Sequence, residues 1–422
     1  MLTSTKVKLY PDKRQQVLLE KHFGGCRFVS NYFLSKRDEY YIANRGAEKS
    51  SLNYFGTQSM LIELKKEYPL LYEINSQSLQ MSVRFLDSAF KNLFHGYAEH
   101  PKFKRSGKND CFAVPQHIMI EGNSVCFPNF SESIYFRCSE GKLCRVKKVN
   151  HIVITKDVGD YYCLIIKETG EQLPEKVSIS VGNSVGIDLG VEKFATLSDG
   201  TIIGNPRFME RVENRIRRLQ RQLLKRRKGS NKRRNPILKL QKKYRKLSSM
   251  HEDFLDKVST AIAKRHDTIV LEDINVRGMV QNQHVSKGLA DASFYAFRRR
   301  LEWKAHKYGE NIILIGGFDP SSKLCANCES VKHDMKLSER VYRCATCGLV
   351  IHRDYNASKN IRRIGLVNVG LVRSEFTPVE IATSCLYGIY PYRQIWVAEA
   401  GGSVREGGVA RIVHIHTLFG EC

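Results

Sequence analysis

The chain has 422 residues, 42% of them hydrophobic, and carries a formal net charge of +25 with a pI near 9.6. The apolar share excludes a disordered chain, and the length calls for two or three domains, because single cores rarely grow past roughly 250–300 residues. The charge selects a polyanionic partner, nucleic acid before an anionic membrane, since no apolar run reaches the roughly 18 residues of a spanning helix. The opening MLTSTKVKLYPDK lacks the apolar stretch of a signal peptide, and of 12 cysteines only four are grouped. Both features point to the reducing cytoplasm.

In chain order, residues 5–10 (TKVKLY) alternate as a strand does. Residues 12–100 read as several helices rich in aromatics, among them Phe28, Tyr32, Phe33, Tyr40 and Tyr41. Most of these suit a core, and a few could stack on bases. HPKFKRSGK at 100–108 is a basic loop suited to phosphate, which makes Lys102 and Lys104 candidate contacts. From 112 to 180 short alternating runs, HIVITK and YYCLIIK joined at VGD, predict β-hairpins with which residues 5–10 are expected to pair.

SVGIDLGVEKFATLSDG at 184–200 reads as strand, turn, strand. Asp188 projects from the first strand, with Gly186 and Gly190 permitting close approach, and Asp199 with Gly200 makes a hairpin turn before Thr201. Residues 205–247 then hold 18 Lys or Arg against two acids, Glu210 and Glu213. Asn205 with Pro206, and Asn235 with Pro236, each look like an N-cap followed by a first-turn proline. Apolar residues recur at helical spacing behind both, first Phe208, Val212, Ile216, Leu219 and Leu223, then Ile237, Leu240, Tyr244 and Leu247. The pattern predicts an antiparallel helical hairpin bending at 229–231. A merely solubilising face would mix signs, whereas like charges at this density repel unless a polyanion relieves them. Arg217, Arg218, Arg221, Lys225 and Arg226 are therefore candidate nucleic-acid contacts.

DTIVLEDIN at 267–275 is a buried-strand run ending in Glu272 and Asp273, where open α/β sheets place ligands. Cys325 and Cys328, then Cys344 and Cys347, form two C-x-x-C pairs separated by 15 residues. This is the spacing of a closed structural zinc site, with no open position for catalysis. Seven residues beyond the last cysteine stands Asp354, at the start of a predicted helix, with Arg353 beside it as a candidate phosphate contact. Asp188, Glu272 and Asp354 come from separate elements, as flanking carboxylates of a two-magnesium site must. Singly, each is equally an ordinary solvated acid at an element end.

Taken in order, G-I-D-L-G at 186–190, V-L-E-D-I-N at 270–275, the four cysteines and R-D-Y-N-A-S-K-N at 353–360 resemble the TnpB (OrfB) family of insertion sequences. Those proteins are relatives of compact type V CRISPR effectors. K-L-Y-P at 8–11 and R-F-V-S-N at 27–31 extend the resemblance over residues 5 to 365. Lys323, Glu329 and Ser358 depart from the family's frequent Gln, Gly and Ala, which bears on fine ribbon geometry but touches none of the three acids.

The resemblance implies an α/β fold: an RNase H-like (RuvC) nuclease core with an inserted four-cysteine zinc ribbon, plus an N-terminal small β-barrel interrupted by a helical bundle. The expected domains are a barrel strand at 1–11, a helical recognition domain at 12–111 and the barrel at 112–180. The nuclease core with its basic hairpin follows at 181–321, the ribbon at 322–348, the last core segment at 349–365 and a loose tail at 366–422. The implied function is an RNA-guided DNA endonuclease, cutting beside a short flanking motif with Asp188, Glu272 and Asp354 on two magnesium ions. One structural zinc per chain, a guide RNA from the element's own end, a duplex DNA target and a monomer are expected. The ribbon is expected to stiffen the approach to the helix bearing Asp354. A transposase using the same acids, or an RNA-guided repressor without cleavage, stays open at this point.

Overall fold

The computed structural model describes residues 2–45, 52–138, 148–170, 172–227, 229–273, 293–316, 319–332, 334–335 and 339–371. The expected tail lies, apart from residues 366–371, outside the described residues, as do Ile274 and Asn275 of the second strand motif. The chain divides into two compact units at residues 172 and 173.

Among the described residues, the first unit joins a seven-stranded sheet to three α-helices and a short 3-10 helix at Pro69–Glu73. Its strands are β1 (Leu2–Leu9), β2 (Cys111–Val114), β3 (Met119–Glu121), β4 (Ser124–Cys126), β5 (Ile134–Arg137), β6 (Lys148–Asp157) and β7 (Asp160–Glu168), in the spatial order β2-β6-β7-β1-β5-β4-β3. The alternating first strand does pair with the later hairpin: β1 runs antiparallel to β7 from Leu2↔Glu168 to Leu9↔Tyr161. The helices are α1 (Lys13–Ala43), α2 (Tyr54–Glu67) and α3 (Ser76–Phe94). α1 starts on a reciprocal capping box. Asp12 Oδ1 accepts from the Gln15 amide at 2.7 Å, and Gln15 Oε1 accepts from the Asp12 amide at 3.0 Å. Phe23, Phe33, Phe112, Phe127 and Phe136 are buried in one core shared by helices and sheet. The buried Arg37 of α1 is answered by Asp87 of α3 at 2.7 Å.

The second unit is built on a five-stranded mixed sheet of order β10-β9-β8-β11-β12. Its strands are β8 (Ser184–Leu189), β9 (Lys193–Leu197), β10 (Ile202–Gly204), β11 (Thr268–Glu272) and β12 (Asn311–Ile315). β8, β11 and β12 are parallel, and β9 and β10 join antiparallel. Alternation sorts the side chains to two faces. Val185, Ile187, Ile269 and Leu271 pack against α5 (Asn231–Ala263) and α6 (Phe294–Tyr308). Val270, Ile313 and Ile315 pack instead with Ile361 of α7 (Arg353–Asn368). α7 lies so close that a methyl on Gly186 would sit 2.2 Å from the Ser358 carbonyl oxygen, and one on Gly365 would sit 2.3 Å from Val270 Cγ1. Arg362 pins the helix further, donating to Ser184 Oγ at 2.8 Å and to the Val181 carbonyl at 2.5 Å.

The basic hairpin is present, but its helix starts differ from the expected ones. α4 (Phe208–Leu224) follows Arg207 in the left-handed region, and Asn205 only closes the turn before it by accepting from the Arg207 amide at 3.1 Å. α5 begins at Asn231 after Ser230, so Pro236 stands inside the helix rather than in its first turn. A proline there orphans the Lys232 carbonyl. Arg226 donates its guanidinium to that carbonyl, and Arg233 donates to the Leu223 carbonyl in the last turn of α4 at 3.2 Å and to the Arg226 carbonyl just beyond it at 2.9 Å. Two guanidiniums thus do at the hairpin tip what caps do elsewhere.

At the far end of the sheet, before β12, Glu310 is buried and its Oε2 lacks a hydrogen-bond partner among the described residues. Burial, then the charge of Asp267, pushes its carboxyl from 4.5 up to about 7. A raised folded value means no penalty below pH 4.5, a growing one as the unfolded chain ionises first, and the full one above about pH 7. Scanning calorimetry should therefore show Glu310→Gln raising the melting temperature clearly more at roughly pH 8 than at roughly pH 5. An equal shift at both pH values would show that Glu310 holds no proton in the fold.

Candidate functional site

The register of the second sheet brings the predicted acids together. The β8–β11 ladder pairs Val270 with Gly186 and Leu271 with Ile187, so Glu272 and Asp188 stand opposite each other one step further on. Neighbouring strands lie about 4.8 Å apart, and both residues share the parity of Gly186 and Val270, hence the α7 face. Gly186 touches α7 at Ser358. Two residues up the strand is Asp188, and one turn back along the helix is Asp354, so the close approach at Gly186 brings the two carboxyls to one end of the contact.

Asp188 feels the charges of both other acids. Burial first, then the negative charges of Asp354 and Glu272, push the Asp188 carboxyl up to about 8, against the opposing pull of Arg353. Burial also pushes Glu272 up to about 6, with the charge of Asp319 as the second cause. Asp273, the other acid of the strand motif, is spent on an ion pair with Arg298. That contact separates the two acids: Asp273 is neutralised and Glu272 is not. Among the described residues, only the four cysteines bring three or more candidate ligand atoms within 4.8 Å of one another. Asp188, Glu272 and Asp354 do not form so tight a group.

Three neighbours of the acids are absent from the sequence reading. Asp319 lies in the turn after β12 and accepts from the Gly316 amide at 2.9 Å. The signal was available, since NIILI followed by an acid repeats the logic of TIVLE, though with three residues between. His352 caps α7, its Nδ1 accepting from the Asp354 amide at 3.3 Å, and Lys193 Nζ lies 3.0 Å from its Nε2. No spacing rule points to that pair.

The cysteine pairs form the expected cluster. Cys325 and Cys347 sulfurs lie 3.7 Å apart and those of Cys328 and Cys344 3.5 Å apart. Four thiolates at 2.3 Å around a tetrahedral zinc stand about 3.8 Å from one another, so the donor set fits. Hydrogen bonding from the Ser330 hydroxyl, then from backbone amides, holds the Cys344 thiol down at about 5, whereas burial pushes the Cys325 thiol up to about 12. The ribbon's hairpin, β13 (Val341–Arg343) with β14 (Val350–His352), buries Tyr342 against the cysteines and leads straight into α7. Glu329, in the place of a frequent glycine, does adopt a left-handed φ of 61°. It is held there by an ion pair with Arg363.

The nucleic-acid candidates divide. Arg218, Arg221 and Lys225 are exposed on the hairpin, and Arg217 is exposed beside Glu213 at 2.6 Å. Lys102 is exposed next to Glu99 at 2.9 Å. Arg226 is occupied at the tip. Lys104 turns inward: its backbone is clamped by Asn31 at 2.8 and 2.9 Å, and burial lowers its ammonium below the usual range. Arg353 reaches the Glu339 carbonyl at 3.3 Å, close enough to Asp188 to oppose its neutralisation.

Family models match three stretches: "Probable transposase" at residues 170–283, "Cas12f1-like, TNB domain" at 294–361 and "Helix-turn-helix domain" at 1–46. The last stretch forms β1 and a single continuous helix, α1. An Escherichia coli K12 protein named "Putative RNA-guided DNA endonuclease InsQ" is 30% identical over 383 residues, 86% of this chain and 92% of its own length. The chain belongs to the OrfB (TnpB) family. Another family relative, from Streptomyces pristinaespiralis and named "Putative RNA-guided DNA endonuclease", is 29% identical over 395 residues, 92% of each chain. A Cas12f1–sgRNA–target DNA complex solved by cryo-EM superposes with a TM-score of 0.47 at 13% identity, over 86% of this chain and 98% of that one. No helix among the described residues is long and apolar enough to cross a membrane.

Because three carboxylates repel without a cation, Asp188→Asn should stabilise the metal-free protein while abolishing any magnesium-dependent gain in melting temperature. Thermal scans with and without magnesium check this. A variant that melts lower than the parent in the absence of metal would show that Asp188 is compensated by groups other than a cation.

Proposed function

We propose that this OrfB-family chain is an RNA-guided DNA endonuclease of an insertion sequence, cutting target DNA at one RuvC-type, RNase H-like site. The observation that carries the reading is the convergence of Asp188, Glu272 and Asp354 from β8, β11 and α7, two of them with raised carboxyl values. Magnesium held by these three acids would activate water and stabilise the leaving oxygen of a phosphodiester. The protein's own part is placement. The sheet register fixes Asp188 against Glu272, the Gly186 approach fixes α7, and His352 orients the first turn that bears Asp354. Arg353 supplies positive charge beside the acids, where a scissile phosphate needs it. The ribbon's four sulfurs hold zinc with no vacant position, so zinc serves structure. A guide RNA, a duplex target beside a short flanking motif, a monomeric state and a cytoplasmic location complete the proposal. The exposed part of the basic hairpin suits a heteroduplex held through its backbone, with sequence left to base pairing.

Asp188→Ala, Glu272→Ala and Asp354→Ala should each lower cleavage by on the order of a thousandfold or more, with double variants scarcely worse, because the ligands act as a unit. Guide-RNA binding should persist. Cutting by any one of them at the parental rate removes that acid from the site, and strand-transfer product without RNA would favour a transposase. Neutralising Arg218, Arg221 and Lys225 together should flatten the salt dependence of nucleic-acid affinity by roughly 0.7 to 0.9 per lost phosphate contact. Parallel salt plots for parent and variant would place the nucleic acid elsewhere.

A further inference from the structure

The zinc knuckle and the catalytic helix are joined by more than chain continuity. Asn356, two residues after Asp354 and fully buried, uses its side-chain amide as a splint across the first zinc ligand. Its Nδ2 donates to the Leu324 carbonyl at 2.6 Å and its Oδ1 accepts from the Ala326 amide at 2.9 Å, so both peptide groups flanking Cys325 are held by one side chain. One turn on, the equally buried Asn360 donates to the same Leu324 carbonyl at 2.6 Å and to the Ser321 carbonyl at 2.8 Å. On the far side of the knuckle Arg363 pairs with Glu329, the left-handed residue directly after Cys328. Three residues of one helix therefore grip the loop from 321 to 329 that presents Cys325 and Cys328.

Resting on the nuclease reading above, we infer that Asn356, Asn360 and Arg363 are positioning residues, which transmit zinc occupancy to Asp354 and so make cleavage, not nucleic-acid binding, depend on zinc. The physical reason is the direction of constraint. Four thiolates around one ion fix where the Leu324 and Ala326 peptide groups lie, and those groups fix the Asn356 side chain. Asn356 belongs to the same first turns as Asp354, whose carboxyl must be set against Asp188. A buried amide cannot exchange these partners for water, so the splint either holds or leaves polar groups orphaned. Remove the metal and the loop is free to shift, taking the N-terminal turns of α7 with it. From Ser358 onward α7 is held at Gly186 by backbone contact and at Ser184 by Arg362, so the shift is confined to the turn before Ser358, which bears Asp354 and Asn356.

The test compares the parent, Asn356→Ala and Arg363→Ala, each as the full chain with its copurifying RNA and a duplex carrying the sequence read from that RNA. Zinc chelation should lower the parental single-turnover cleavage rate by about tenfold or more, the size usual for partners one layer behind a site, with duplex binding unchanged. In Asn356→Ala the rate should already be down by about as much, the magnesium needed for half-maximal cleavage should rise, and chelation should cost little further, because the coupling is gone. Amide exchange over residues 353–360 should rise on zinc removal in the parent irrespective of any cleavage. Arg363→Ala, at a half-buried position, should show the same pattern in milder form and serves if Asn356→Ala does not fold. Equal losses on chelation in parent and variants, or unchanged exchange at 353–360 after zinc leaves, would overturn the inference. Failure of the parent itself to cut with magnesium, while exchange still responds to zinc, would reject the nuclease reading and leave the mechanical coupling standing.

Discussion

The second unit depends on one contact, the meeting of backbone with backbone where α7 crosses β8 at Gly186. No side chain intervenes, so the helix cannot slide by a rotamer change, as it could on a cushion of leucines. The contact sets the height of the helix on the sheet, and that height decides which helical residue reaches the end of the strand. Arg362 ties the same helix to Ser184 at the start of β8, Gly365 lies against Val270 of β11, and apolar packing of Ile361 fills the gap between. The carboxyl trio is thus a by-product of a packing distance.

Charge is distributed by the same economy of geometry. The sheet end gathers Asp188 and Glu272, whose carboxyls are pushed up toward the neutral form, while Asp273 next door is paired with Arg298. On the opposite side of the ledger, the hairpin's cations are fewer than composition suggests. Arg226 and Arg233 are committed to carbonyls and Arg217 has Glu213, leaving Arg218, Arg221 and Lys225 as the free face among those named. Lys104 of the basic loop is half-buried, and burial lowers its ammonium below the usual range.

What could be read in advance follows from which interactions leave a period. The strands at 184–189 and 268–272 were legible because alternation and a terminal acid are local signals, and the cysteine pairs because tetrahedral coordination dictates spacing. The pairing of the first strand with the later hairpin followed from its alternation too. The start of α5 was misplaced because proline after asparagine is locally a helix beginning, and the override comes from Arg226 five residues before the helix. Asp319, His352, Asn356 and Asn360 went unread as site neighbours because each acts through a partner distant in sequence. Nothing in R-D-Y-N-A-S-K-N alone shows that its asparagines face a zinc loop thirty-odd residues earlier.

The tip of the basic hairpin has one more implication, concerning which substitutions pass as harmless. Arg233 reaches two carbonyls at once, and Arg226 stands in for the amide that Pro236 lacks. A planar fork can serve such divergent acceptors, whereas an ammonium on a flexible stem is strongly hydrated and gives up water poorly for a pair of neutral oxygens. An arginine-to-lysine drift at 226 or 233 would preserve net charge, length and helix propensity alike. It would nonetheless unfasten the corner, leaving two helices that still attract polyanions but no longer present them with a common, fixed face.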